Sequence, residues 1–305
     1  MLHYKGRGQG TSMGWAILIH GGAGEWLSQD EAAALAGVGL AASNAMQRLV
    51  AGGSALDAAV AAVVELEDNA LFNAGTGAVL NRDGEAELDA SVMTGHDLRC
   101  GAVAALRRVR NPVLVARRVM ERTAHVMLAG EGALRFARSE GFGDYDPVTQ
   151  RARDAWLRRT SASPGTVGAV VLDLVGRLAA ATSTGGVSLK LPGRVGDSPI
   201  PGAGNYANAA AACSATGHGE LMMRVLAAKD LCDRVARGEH PQAAVDALLR
   251  EMAAGIGADG GFILLSRDGQ LGVAHTMASM PHAWWCEGEP AATARMRVPS
   301  SRSAG

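Results

Sequence analysis

GTVGAVVLD, residues 165–173, decides how the rest of this chain is read. Val167, Ala169 and Val171 alternate with Gly168, Val170 and Leu172, which predicts a strand buried on both faces. The strand begins at a threonine directly after a glycine, and a second strand ending Thr182-Ser183-Thr184-Gly185-Gly186 follows at once. Thr166 has two readings. It is an ordinary strand-start residue, or it becomes a new chain terminus whose hydroxyl and freed α-amine form nucleophile and base on one residue.

The chain around this strand has 305 residues, enough to bury a large core in one domain or two. Apolar residues make up 48%, charged residues 19%, and the net charge is −1, so electrostatics gives no case for nucleic acid or an anionic membrane. Forty glycines against ten prolines, without a collagen-like period, imply tight turns and close backbone approaches. With aromatics at 4%, small aliphatic residues must fill the core. The start, MLHYKGRGQGTSMGW, has no apolar h-region, and no run of about 18 apolar residues occurs. Cys100, Cys213, Cys232 and Cys286 show neither paired nor metal-type spacing. A reduced, cytoplasmic protein is expected. Residues 1–14 read as a ragged start, with Met1 or Met13 as the first residue, and 291–305 as a disordered tail.

Along the chain, AILIH (16–20) predicts a short strand, and alanines and leucines at helical spacing predict a helix over 29–50. Ser54 caps a second helix over 55–66, and a glycine- and asparagine-rich loop, DNALFNAGTGAV, follows it. ELDASVM and CGAVAAL read as strands, Pro112 opens a helix to residue 122, and another helix spans 131–140. From 143 to 165 the periodicity is lost, which reads as an exposed flexible linker. Beyond it lie strands at 166–173 and 177–182, a glycine-rich loop over 185–205, helices near 219–237 and 241–254, and final strands at 261–266 and 271–276. Strands followed by helices on each side of the linker suggest paired sheets covered by helices, not βαβ alternation.

Taken together, IHGGAG (19–24), LEDNALFNAGTGAVLN (66–81), ELDASVMTG (87–95), GTVGAVVLD, AAATSTGG (179–186), KLPGRVGDSPIPGAGNYA (190–207) and TGHGE (216–220) resemble the plant-type asparaginase/isoaspartyl peptidase family of N-terminal-nucleophile (Ntn) hydrolases. The motifs occur in family order over residues 16–276. The resemblance implies an α+β, four-layer αββα Ntn-hydrolase sandwich, a single domain over 1–305 that self-cleaves between Gly165 and Thr166 into chains 1–165 and 166–305. Thr166 would be the nucleophile and Thr184 would orient its hydroxyl. Thr216 and Gly217 would form an oxyanion hole, with a plain helix cap as the other reading of Thr216. Arg194 and Asp197 would clamp the α-carboxylate and α-ammonium of the substrate, a surface ion pair being the alternative. Gly217, Gly219 and Asn73 would contact substrate, and His20, Gly21 and Gly22 would approach the scissile bond. Backbone carbonyls of Leu66, Glu67, Asn69, Phe72, Ala74 and Thr76 would wrap a structural sodium ion, and no cofactor would be required for the chemistry.

The implied reaction is hydrolysis of β-aspartyl dipeptides and L-asparagine through a β-aspartyl-Thr166 ester, in a homodimer of cleaved αβ heterodimers. A glycosylasparaginase-like amidase and an unprocessed homologue that binds small molecules are the alternatives, whereas a taspase-type endopeptidase would need a longer insertion before the linker. No GxGxxG or Walker pattern occupies a strand-to-helix turn. Three places depart from the family pattern: His218, where a small residue is usual; HTMASMPHAWW (275–285), which puts the leaving-group side of the pocket in question; and Ser163-Pro164 before the scissile glycine.

Overall fold

A computed structural model describes residues 14–159, 165–257 and 259–298. In chain order the elements are β1 (Ala16–His20), α1 (Ser28–Val50), α2 (Ala55–Asp68), β2 (Leu88–Thr94), β3 (Cys100–Leu106), α3 (Pro112–Arg122), β4 (Met127–Ala129), α4 (Gly130–Ser139) and α5 (Gln150–Leu157). After residue 165 come β5 (Val167–Leu172), β6 (Leu178–Thr184), β7 (Asn205–Ala207), β8 (Ala211–Gly217), α6 (Gly219–Val225), α7 (Ala227–Ala236), α8 (Pro241–Ile256), β9 (Gly260–Ser266), β10 (Leu271–His275), β11 (His282–Cys286) and β12 (Thr293–Arg295). The fold is mixed α+β. Among the described residues the strands form an eight-stranded sheet, β12-β11-β1-β5-β6-β2-β3-β4, and a four-stranded sheet, β10-β9-β8-β7.

The period-2 alternation of the strands sorts the core. Ile17 and Ile19 of β1, Val167, Ala169 and Val171 of β5, and Ala179 and Ala181 of β6 pack with α1, α2 and α3. Their neighbours Leu18, Val170, Leu172, Leu178 and Ala180 instead meet Ala212, Ile263, Leu265 and Val273 of the smaller sheet. The far face of that sheet, with Cys213, Ala215, Phe262 and Leu264, packs on Leu231 of α7 and Val245 and Leu248 of α8. Small residues set the spacing: α1 buries Ala34, Gly37, Val38, Ala41, Ala42 and Ala45, and α2 buries Ala55, Ala58, Ala59 and Ala62. Ser54 starts α2 with a capping box, its hydroxyl accepting from the Asp57 amide while the Asp57 carboxylate accepts from the Ser54 amide at 2.9 Å.

Several expectations need correction. Part of the 143–165 segment is ordered: α5 forms there, capped by the Thr149 hydroxyl and anchored by buried Ala152 and Ala155 and by the Trp156 indole, which donates to the Asn81 carbonyl at 2.9 Å. Its apolar face is two alanines among charges, too small to register as periodicity. The helix expected over 219–237 is two, broken at Leu226, which takes a left-handed φ of +50°. Strands β4, β7, β8, β11 and β12 were not foreseen, and β12 lies inside the expected disordered tail. Thr216 and Gly217 end strand β8, and the cap of α6 is His218, not Thr216. Ser163-Pro164, the remaining linker residues 160–164, the start and residues 299–305 lie outside the described residues.

Gly101 shows how closely helix and sheet approach: a Cβ there would overlap the Ala116 carbonyl oxygen of α3 and lie 2.7 Å from the Met120 Cβ. Gly101→Ala should therefore lower the unfolding free energy by about 2 kcal/mol, read from urea denaturation at unchanged m-value.

Candidate active site

Thr166 sits at the head of β5, 7% exposed, on the face that looks toward the smaller sheet. The β5–β6 register pairs Val167 with Ser183, so the next step brings Thr166 beside Thr184. The Thr166 hydroxyl donates to Thr184 Oγ1 at 3.1 Å, and Thr184 Oγ1 also accepts from the Gly186 amide at 2.9 Å. From the opposite sheet, Thr216 Oγ1 accepts from the Thr166 amide at 3.1 Å and from the Ala23 amide at 3.2 Å. Three threonines from three strands thus converge on one point, which strand alternation and register produce without any unusual backbone.

Gly165 is unusual. Its φ is +68°, and a Cβ would lie 2.6 Å from the Gly22 Cα and 2.7 Å from the Ala23 nitrogen. The HGGAG turn therefore presses backbone to backbone against the residue preceding Thr166, and only glycine fits. Gly22 itself has φ +102°, and a Cβ on Gly21 would strike the Phe72 ring at 2.5 Å.

A cleft of about 650 Å³ opens over Thr166 and is lined by Thr184, Asn73, Arg194, Asp197, Gly217 and His218, among others. Asn73 braces its wall: the side-chain amide donates to the Gly186 carbonyl at 2.8 Å, and Oδ1 accepts from the Val79 amide at 2.9 Å. Arg194 is 16% exposed and donates through Nε to Glu220 Oε1 at 2.8 Å, so its partner is Glu220 and not Asp197. That bond fixes the plane of the guanidinium, whose terminal nitrogens pass close to Gly196 and Gly219, where side chains would collide. Asp197 is 5% exposed, with Oδ2 unpartnered among the described residues, and a Cβ on Gly219 would lie 2.6 Å from its Oδ1. Burial pushes the Asp197 carboxyl up to about 7, against the opposing influence of its own backbone amide and of Arg194.

The clamp loop is held from below by ELDAS. The Gly193 amide donates to the Glu87 carboxylate at 3.0 Å, the Gly196 amide reaches Asp89 Oδ2 at 3.4 Å, and Lys190 Nζ donates to the Glu87 carbonyl at 2.8 Å. Sequence reasoning missed these supporting roles. It also missed Ser198, whose hydroxyl lies 3.5 Å from that of Thr166, although its place directly after Asp197 was a usable signal. Behind the threonines runs a buried polar chain: His20 Nε2 and Ser214 Oγ are 2.9 Å apart, Ser214 and Thr182 hydroxyls 2.7 Å, and the Asn205 amide donates to Thr182 Oγ1 at 3.1 Å. Burial drives the His20 pKa down to about 3, despite the opposing Thr166 backbone group, so the imidazole is neutral. His218 is exposed at the rim, and Met277, from the departing 275–285 segment, also lines the cleft.

The remaining forecast residues lie on the helix side of the sheet. The Glu67 carbonyl accepts from the Thr76 amide at 2.8 Å and the Asn69 carbonyl from the Phe72 amide at 3.1 Å, folding residues 66–76 back on themselves. The buried Glu67 carboxyl, pushed up to about 8 by burial, accepts from the Ser183 hydroxyl at 2.6 Å.

The cleft of this α+β fold brings linked threonine hydroxyls together with a buried carboxylate and an arginine. The sequence matches the asparaginase family over residues 13–164 and 158–294, and the chain belongs to that family. It is 44% identical to a plant-type L-asparaginase of Pyrococcus furiosus over 90% of this chain and 97% of that protein. It is also 42% identical to an isoaspartyl peptidase/L-asparaginase of Xenopus laevis (83% and 86% covered) and to an isoaspartyl peptidase of Escherichia coli (92% and 96% covered).

Asp197 generates a stability prediction. Its folded pKa stands above the unfolded value of 3.8, so its protonated form stabilises the fold below about pH 4, and that contribution is lost as pH rises through about 7. Asp197→Asn should gain stability relative to the wild type progressively across that window, measured by thermal or urea unfolding at successive pH values. A difference independent of pH would contradict the buried, raised carboxyl.

Proposed function

We propose that this chain is a self-activating threonine amidohydrolase that hydrolyses β-aspartyl dipeptides and L-asparagine. The observation that carries this reading is the Thr166 hydroxyl, held 3.1 Å from that of Thr184 at the head of β5, in the cleft that also contains Arg194 and Asp197. In the precursor the Thr166 oxygen attacks the Gly165 carbonyl carbon. The C–N bond breaks, an ester joins Gly165 to Thr166 Oγ1, and the Thr166 amine is released. Water hydrolyses the ester and leaves chains 1–165 and 166–305. The left-handed Gly165, packed against Gly22 and Ala23, leaves no room for a side chain beside the carbonyl that Thr166 attacks.

In the mature enzyme the freed α-amine, whose reference pKa is about 8, takes the hydroxyl proton as Thr166 attacks the substrate amide. Arg194 pairs with the substrate α-carboxylate and Asp197 with its α-ammonium, whose positive charge favours the ionised carboxylate that burial alone disfavours. The Thr216 hydroxyl and Gly217 amide face the developing oxyanion, each such donor contributing about 3 kcal/mol to lowering the barrier. The amine passes the proton to the leaving nitrogen, a β-aspartyl ester remains on Thr166, and water releases aspartate.

The reading extends to an αββα Ntn-hydrolase sandwich, for which the separate apolar clusters on the two faces of each sheet are the support. It extends also to a dimer of cleaved pairs in a reducing cytoplasm, the four cysteines being free thiols. For sodium, the self-folded 66–76 loop offers main-chain oxygens, a donor set that suits a hard cation. Leu66, Glu67, Asn69, Phe72, Ala74 and Thr76 would hold it, and its part is to brace the loop carrying Asn73.

Purified protein given β-aspartyl-leucine or L-asparagine should release L-aspartate from both, and Arg194→Lys should lower kcat/KM for both at least tenfold, because a point charge lacks the planar fork. Release of no aspartate by fully cleaved enzyme would refute the reading.

A further inference from the structure

The cleft is larger than an aspartyl group needs, and its second wall is chemically distinct. Opposite in kind to the glycine-rich Arg194–Asp197 loop, it is contributed by Trp26, Leu27 and Asp30 at the start of α1, Met277, and Arg151 of α5. Arg151 donates through Nη2 to Asp30 Oδ2 at 2.7 Å, with Asp30 14% exposed in its side chain. The helix that carries Arg151 is pinned independently of that ion pair, through buried Ala152 and Ala155 and the Trp156 bond to Asn81. A second, positioned guanidinium therefore stands in the same cleft as the nucleophile.

We infer that Arg151, oriented by Asp30, binds the α-carboxylate of the residue released from a β-aspartyl dipeptide, and that Trp26, Leu27 and Met277 favour an apolar side chain on that residue. This rests on the hydrolase reading above. A β-aspartyl dipeptide carries two carboxylates besides the scissile amide. Arg194 accounts for the one on the aspartyl unit; the other lies on the leaving amine and must extend into the rest of the cleft. L-Asparagine releases ammonia and has no second carboxylate. A guanidinium carries five N–H donors in a fixed fork, so a carboxylate can join an arginine already held by Asp30. The segment that sequence alone read as a flexible linker thus supplies a specificity residue.

The test is a cycle of two enzymes and three substrates: wild type and Arg151→Ala, each cleaved to completion by intact mass, with β-aspartyl-leucine, β-aspartyl-leucine amide and L-asparagine. Expected is a loss of about tenfold in wild-type kcat/KM when the C-terminal carboxylate becomes an amide, and a similar loss for Arg151→Ala on the free acid. The variant should then be insensitive to amidation and should hydrolyse L-asparagine at the wild-type rate. Equal losses on asparagine and dipeptide would overturn the inference in favour of a structural anchor, and so would unchanged kinetics on all three substrates. A cleaved wild type inactive on every substrate would remove the hydrolase reading, and with it this inference, a result distinct from the other two. Arg151→Lys should restore part of the discrimination between acid and amide.

Discussion

The alternation of β5, one face toward the helices and one toward the second sheet, is the constraint on which the rest of the molecule depends. Val167, Ala169 and Val171 commit to the helix layer, so Thr166, Gly168 and Val170 must face the smaller sheet. Antiparallel register then selects Thr184 on β6, and the same parity on β8 selects Thr216. A slip by one residue would turn Thr166 into the apolar helix interface and Val167 into the polar one. The core and the site are specified by the same pattern.

The second constraint is electrostatic. Asp197 is buried where its ionised form is disfavoured, while Arg194 is held by Glu220 at the cleft edge. The loop carrying both is tied down by Glu87, just before β2, and Asp89, within it. Burial acts to raise the Glu87 pKa, but hydrogen bonds from Arg107 and Gly193 outweigh it and keep the carboxyl below its ordinary value. Glu87 is thus a carboxyl whose charge the protein stabilises, whereas the charge of Asp197 is disfavoured by its burial.

Much of this was legible in the sequence because the decisive strands carry strong alternation and because Gly165-Thr166 stands at the start of one of them. Helices α1, α2, α3 and α8 were readable from apolar spacing and from Ser54 and Pro112 at their starts. What escaped has physical reasons. Strand β8, AACSATG, is built of residues with weak strand preference and is fixed by its pairing to β9. Strand β11 exists because β1 needs a partner on the side away from β5, a demand invisible locally. The break at Leu226 depends on a left-handed leucine that no local rule predicts. Helix α5 was hidden by its small apolar face, and it carries the residue on which leaving-group recognition turns. The supporting acids Glu87 and Asp89 were visible as a motif but not as braces, because their partners lie about a hundred residues away.

The central claim is that the strand head at Thr166 is made to become a chain terminus. Intact-mass analysis of the purified protein during incubation tests it directly. The expected result is conversion of the full-length chain into two, one ending at Gly165 and one beginning at Thr166, with Thr166→Ala remaining whole under the same conditions. A wild-type chain that stays uncut, or a Thr166→Ala chain still cut after Gly165, would contradict it.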